Sequence, residues 1–245
     1  MASGFLTLIS FFTRIQVGRK IEYNEENFIR ALNLFTLTGA VIGFLLALTY
    51  LIFNRQIPFL RGLAITIMYI LITGGIHLDG AADTSDGLFS GRTGDEVFEI
   101  MSDSRIGSFG VITLILIVLS QFILFSYISI EAVFIMPLAG RAGAIAGCWN
   151  KKYAKGTKGM GTAFVENIDK SVLLINLSIL FVFSILSWQR TIIFTASYAA
   201  VSLSYFISTL IEDKIGGMTG DTCGFITEIS QIIFMITVLY LMRQL

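Results

Sequence analysis

Residues 65–86 read ITIMYILITGGIHLDGAADTSD. The first half is almost wholly apolar. A Gly74-Gly75 pair then leads into His77 and three aspartates, Asp79, Asp83 and Asp86. An apolar run fit to enter a bilayer thus hands the chain directly to a string of acids. Outward from this junction, the 245-residue chain is 55% hydrophobic and only 14% charged, with a mean hydropathy of +0.79 over 27.0 kDa. Soluble domains carry about 25% charged and about 45–50% apolar residues. A soluble globule of this mass has too much surface to hide so many apolar side chains. The composition excludes an ordinary soluble enzyme, a disordered chain and a secreted disulfide scaffold. The expected fold is all-α, a polytopic integral membrane helix bundle of about seven transmembrane helices, with bounds of roughly six and eight.

Apolar stretches near the spanning length fall at Leu34–Phe53, Phe59–Ile76, Ser108–Ile130, Ala132–Cys148, Ser171–Trp188, Thr191–Ile211 and Gly224–Met242. The fourth is the weakest, being short, glycine-rich and interrupted by Arg141. Its small residues would let helices approach closely. Gly4–Thr13 is apolar but too short to span, and reads as an interfacial or re-entrant piece. With no repeat of fixed period, residues 1–245 form a single integral membrane domain. Twelve basic residues fall on one side of this topology: Arg14, Arg19, Lys20 and Arg30 before the first span, Arg92 and Arg105, then Lys151, Lys152, Lys155, Lys158 and Lys170, and Lys214. Only Arg55, Arg61, Arg190 and Arg243 fall on the other. The bias places the N-terminus and the loops at about 77–107, 151–165 and 212–224 on the cytoplasmic face of the cell membrane. Met1–Phe12 lacks a basic n-region and a cleavage site, so no signal peptide is expected. Cys148 and Cys223 read as small packing residues. Seventeen basic and 17 acidic residues balance, which offers no nucleic-acid partner and leaves the lipid bilayer as the first one.

Of the 17 acids, seven lie between Asp79 and Asp103. Asp95, Glu96 and Glu99 flank a polar turn and read as a solvated face. Asp79, Asp83 and Asp86 follow an apolar run at i, i+4, i+7 spacing, on one helical face. Like charges at that spacing repel, and burying each costs several kcal/mol. Mg²⁺ resolves both, since it is commonly held by one or two carboxylates plus substrate phosphates; a hydrated face or a cation path are the alternatives. His77 serves either as a structural residue or as a group that orients or takes a proton. Asp103 or Ser104 suits a helix N-cap, and Arg105 offers a planar fork for phosphate oxygens. Residues 216–222, GGMTGDT, supply either an anion-binding nest of backbone N–H groups or a turn with an N-cap. Glu228 follows Asp221 by seven residues on the same face, a buried acid in need of a partner. Arg141, costly in lipid, is expected to face the bundle and an acid or phosphate. The lysine- and glycine-bearing loop 151–162 lacks a Walker pattern and reads as a phosphate lid or a positive-inside anchor. GxSxG, HExxH and CxxC are all absent. Acidic ligands, basic clamps and glycine-rich turns on one face are the parts that phosphoryl transfer needs.

The motifs carry a resemblance. Phe12-Thr13-Arg14-Ile15-Gln16-Val17 resembles the FxTRIPV opening of the cobalamin synthase family (adenosylcobinamide-GDP ribazoletransferase). Residues Gly74–Gly87 resemble its GGxHLDGLADTxDG, Met101–Gly107 its MxDSRxG, Gly159-Met160-Gly161 with Phe164 its GLGxxF, and Gly217–Gly224 its GGxTGDxxG. The order is the family's from residue 12 to 228, with Gln16 in place of proline and Ala81 in place of leucine as small departures. The resemblance implies an enzyme that joins adenosylcobinamide-GDP to α-ribazole or its 5′-phosphate and releases GMP, using Mg²⁺ at the cytoplasmic face. Under that reading Asp79, Asp83 and Asp86, with Asp221 and Glu228, hold the metal or sugar hydroxyls. His77, Asp83, Asp103 and Arg105 serve the chemistry, and Arg14, Arg141, Gly159, Gly161, Thr219 and Asp221 bind substrate. A homo-oligomer and association with other cobamide-assembly enzymes are compatible with it. A CDP-alcohol phosphotransferase would share Asp83-x₂-Asp86-Gly87 but departs at Ser90-Gly91-Arg92; a transporter with an acidic site is the rival from another class.

Overall fold

A computed structural model describes residues 2–15, 23–154 and 159–244. Gln16 and Val17 of the opening motif, Arg19 and Lys20, and Lys155, Gly156 and Lys158 of the 151–165 loop lie outside the described residues. The described chain is helical: α1 (Ala2–Phe12), α2 (Glu25–Ala31), α3 (Phe35–Ile52), α4 (Pro58–Thr73), α5 (Ile76–Phe89), α6 (Asp95–Met101), α7 (Ser108–Tyr127), α8 (Ile130–Cys148), α9 (Met160–Glu166), α10 (Lys170–Leu186), α11 (Arg190–Ile215) and α12 (Gly220–Met242). Among the described residues five helical segments are long and apolar enough to cross a membrane, rising to seven when each of two bent pairs, α4 with α5 and α9 with α10, counts as one span. The protein is a polytopic helical membrane protein. Its outward faces carry Leu51, Ile67, Leu116 and Phe206, all exposed, while Thr38, Gln121, Asn176, Ser204 and Gln231 are fully buried. Such an inside-out distribution suits a lipid surround, where polar groups must be satisfied within the bundle.

Helix α8 is the axis. Its apolar window is 83% buried, against 28% for α7. The stretch that looks weakest as a span is weak because it faces protein on all sides and needs no lipid-facing side chains. Small residues bring the neighbours in. A Cβ on Gly43 of α3 would sit 2.1 Å from the Phe134 carbonyl oxygen, and one on Gly39 would sit 2.6 Å from that of Pro137. Gly140 and Gly143 meet Gln231 and Ser230 of α12 in the same way. Close backbone approach of this kind stands in for the hydrophobic drive that lipid removes.

The second correction lies in residues 65–86. The predicted span Phe59–Ile76 stops at Thr73. Pro58 presets the first turn of α4, and Gly74 and Gly75 end it with φ of 64° and 72°, a conformation that any other residue adopts at a cost. The chain turns 88° there into α5, so the start of the region drawn as a loop at about 77–107 is the helix on whose face the three acids were expected, with 10 of its 14 residues buried. Gly80, Ala81, Ala82, Thr84, Ser85 and Gly87 make it thin enough to lie against α12, α7 and α6.

Gly43→Leu should force α3 from α8 and destabilise the bundle by about 3 kcal/mol or more. Thermal unfolding in detergent checks this against lipid-facing Leu51→Ala, expected to stay near wild type.

Candidate active site

The acids of α5 and the glycine-rich turn before α12 are brought together by two glycine contacts. A Cβ on Gly80 would lie 2.8 Å from the Asp221 Cα, and one on Gly224 would lie 3.2 Å from the His77 Cα. Asp79 and Asp221, 142 residues apart in sequence, therefore border one cavity, of about 180 Å³. Residues from the starts of α3, α5 and α12 and from the end of α8 line it together, so it sits at one end of the bundle. His77 also lines it, with the Phe12 ring 5.8 Å from the imidazole; His77 is buried and its Nδ1 has no hydrogen-bond partner among the described residues. A second, more open hollow of about 650 Å³ shares Phe11, Ile76 and Asp79 with the first and adds Arg14, Thr13 and Gly74. Arg14 is fixed there. Its backbone N–H donates to the Ile72 carbonyl at 2.6 Å, and its Nε would be 2.1 Å from a Cβ on Gly74.

The glycine-rich turn is sewn to the loop after α8. Met218 N–H donates to the Lys152 carbonyl and Ala154 N–H to the Met218 carbonyl, both at 2.9 Å. Thr219 caps α12: its hydroxyl accepts from Thr222 N–H at 3.2 Å, and its own N–H donates to Thr222 Oγ1 at 2.7 Å. Its side chain is thus committed to the helix start. Gly161 lines the cavity beside the Tyr153 hydroxyl, whereas Gly159 is exposed with open space around it. Lys151 is tied down on α11 by an ion pair with Glu212 and a bond to Thr209.

Below the cavity lies a polar network in the bundle interior. Glu228 accepts from Tyr69 Oη at 2.6 Å and from Gln121 Nε2 at 2.7 Å, and Gln231 Nε2 donates to Tyr69 Oη at 3.0 Å. Arg141, fully buried, donates to Thr38 Oγ1 at 3.2 Å and to the Pro137 carbonyl at 3.1 Å, within electrostatic reach of Glu228 and His77. It faces the bundle interior, as expected.

Asp86 points elsewhere. Its two oxygens accept from Gly107 N–H at 2.7 Å and Gly110 N–H at 2.8 Å, so it caps α7 from a neighbouring helix. A carboxylate at a helix start satisfies two orphan donors and the dipole at once. Asp103 and Arg105 border the same outer hollow as Asp86 and pair with each other at 2.7 Å. The Arg105 hydrogen bonds hold the Asp103 carboxyl down to about 2, so this exposed pair stays ionised at any working pH.

The five acids expected to share a metal are therefore not one cluster, and among the described residues no three His, Cys, Asp or Glu side chains form a metal-holding group. Asp79 and Asp221 meet at the cavity, Asp83 lies half-buried one turn beyond Asp79, Asp86 caps α7 and Glu228 sits in the core network. The sequence reading missed Tyr69, Gln121 and Gln231, whose signal was a polar residue inside an apolar run. It also missed the aromatic lining of Phe11, Phe28 and Phe35, for which an apolar stretch gives no signal.

Fold and site define a polytopic helical membrane protein with an acid- and arginine-bordered site at one end of its bundle. A family model described as cobalamin-5-phosphate synthase matches residues 4–239, and the chain belongs to that family, as a transferase. It is 35% identical to the adenosylcobinamide-GDP ribazoletransferase of Fusobacterium nucleatum over 94% of this chain and 95% of the relative. Identity to the protein of that name from Alkaliphilus oremlandii is 36%, over 98% of both chains. No solved structure matches the chain.

Asp86→Ala should strip two backbone donors of their acceptor and lower stability by about 2 kcal/mol. Thermal unfolding in detergent measures this; an unchanged midpoint would refute the capping role.

Proposed function

We propose that this protein joins adenosylcobinamide-GDP to α-ribazole, or to its 5′-phosphate, and releases GMP. The reading is supported by the names of the relatives and by one geometric observation, that a more enclosed hollow and a more open one share Asp79. A reaction that condenses two unlike substrates needs two compartments with a shared wall. To Arg14, in the open hollow, we assign the neutralising of the activated corrinoid's diphosphate. To His77, in the enclosed one, we assign the proton of a ribose hydroxyl. As that oxygen bonds to the phosphorus next to the cobinamide, the bond from this phosphorus to the GMP oxygen breaks, and GMP leaves with the electron pair.

Asp79 and Asp221, two carboxylates on one cavity, fit the complement that Mg²⁺ commonly takes alongside substrate phosphates; when bound, the ion would offset charge on the diphosphate. The twelve basic residues gathered on one side support a cytoplasmic site at the cell membrane. The Asp103–Arg105 pair, bordering a separate hollow, is left out of the chemistry and assigned to ordering the entry to α7.

The detergent-purified protein should release GMP from adenosylcobinamide-GDP and α-ribazole, or its 5′-phosphate, with Mg²⁺, and EDTA should stop it. Asp79→Asn and Asp221→Asn should each slow turnover by roughly 100-fold or more with unchanged unfolding midpoints. Near-normal rates in both variants would sink the assignment.

A further inference from the structure

The enclosed hollow is an aromatic box. Five phenylalanines from four helices, Phe11, Phe12, Phe28, Phe35 and Phe164, line it. Phe35 meets Phe12 and Phe164 edge-on, each with ring centroids 4.9 Å apart. Asp79, Asp221 and His77 stand at its polar edge, and among the described residues its lining carries no arginine or lysine. Such a lining suits a flat, uncharged ring whose face stacks and whose attached hydroxyls reach the polar edge. The open hollow has the opposite character, with Arg14 on its wall and Leu114 and Val118 at its apolar side.

We propose that the enclosed hollow is the nucleoside subsite: the planar heteroaromatic base of ribazole lies among the phenylalanines, with its ribose hydroxyls toward Asp79, Asp221 and His77. The corrinoid diphosphate then occupies the open hollow, and the reacting atoms meet at their shared wall. This assignment rests on the proposed reaction and deepens it. Guanine is the rival occupant, since its ring-edge N–H donors would pair with a carboxylate; a benzimidazole base has no such donors and leaves the acids to the sugar.

Two variants probe the box with little threat to folding. Phe164→Leu keeps apolar bulk and removes a ring. Gly220→Leu adds a side chain where a Cβ meets nothing within 4 Å, on the cavity lining. The wild-type protein in detergent is titrated calorimetrically with α-ribazole alone and with GMP alone. Ribazole should bind, and each variant should weaken it roughly tenfold, the scale of one lost base–aromatic stack, while leaving GMP unaffected. In turnover, KM for ribazole should rise and KM for adenosylcobinamide-GDP should hold. Variants that weaken GMP instead, or raise only the corrinoid KM, overturn the subsite and leave the reaction standing. A wild type that forms no product from the substrate pair overturns the reaction, and the ribazole titration still decides the cavity.

Discussion

A carboxylate inside an apolar helix bundle has to be held by hydrogen bonds or it costs several kcal/mol. Glu228 is that carboxylate, and its partners come from other helices: Tyr69 from α4 and Gln121 from α7. Arg141 of α8 supplies a nearby positive charge and is itself steadied by Thr38 of α3. Hydrogen bonds to Glu228 thus join α4, α7 and α12, and the Arg141–Thr38 bond joins α8 to α3. The rotation of α12 about its axis is fixed by the bonds to Glu228. Asp221, two turns earlier on the same face, is thereby held at the cavity wall.

The second constraint is the corner at Gly74-Gly75. Had α4 continued straight, Asp79, Asp83 and Asp86 would run along the bilayer normal. The 88° turn instead lays α5 across the end of the bundle, against the start of α12. The same corner opens the backbone face on which Arg14 rests. One pair of left-handed glycines therefore delivers both the acids and the arginine to the same place.

Much of this was legible in the sequence. The seven apolar stretches match α3, α4, α7, α8, α10, α11 and α12 to within a few residues at most ends, because the bilayer imposes a length that composition records directly. The misreadings have physical causes. Span α8 looked weak since burial among helices selects glycine and alanine over long apolar side chains. The second span was drawn three residues too far because isoleucine at 76 continues the hydropathy pattern while the glycines end the helix. The acids were read as one metal cluster because i, i+4, i+7 spacing reports a shared face and not a shared partner. Along α5, Asp79 and Asp86 are separated by about 10 Å of axis, room enough for one to border the cavity and the other to cap α7. The phenylalanine box was invisible, since nothing in an apolar run distinguishes a ring that faces lipid from one that faces a cavity.

Placing the site at a bundle end, rather than in a loop domain outside it, follows from the chemistry it has to host. Its acids need solvent or cations around them, while its aromatic pocket needs to be dry. Only the boundary between lipid-buried protein and water offers both within a few ångströms. Asp79 is exposed and His77, two residues earlier, is buried, so the gradient is crossed inside a single turn of α5. A helix made thin by Gly80, Ala81 and Ala82 is what lets that turn sit so close to α12. The small residues of α5 are thus as much a part of the site as its acids. They set the distance between Asp79 and Asp221, and with it the width of the cavity that both border.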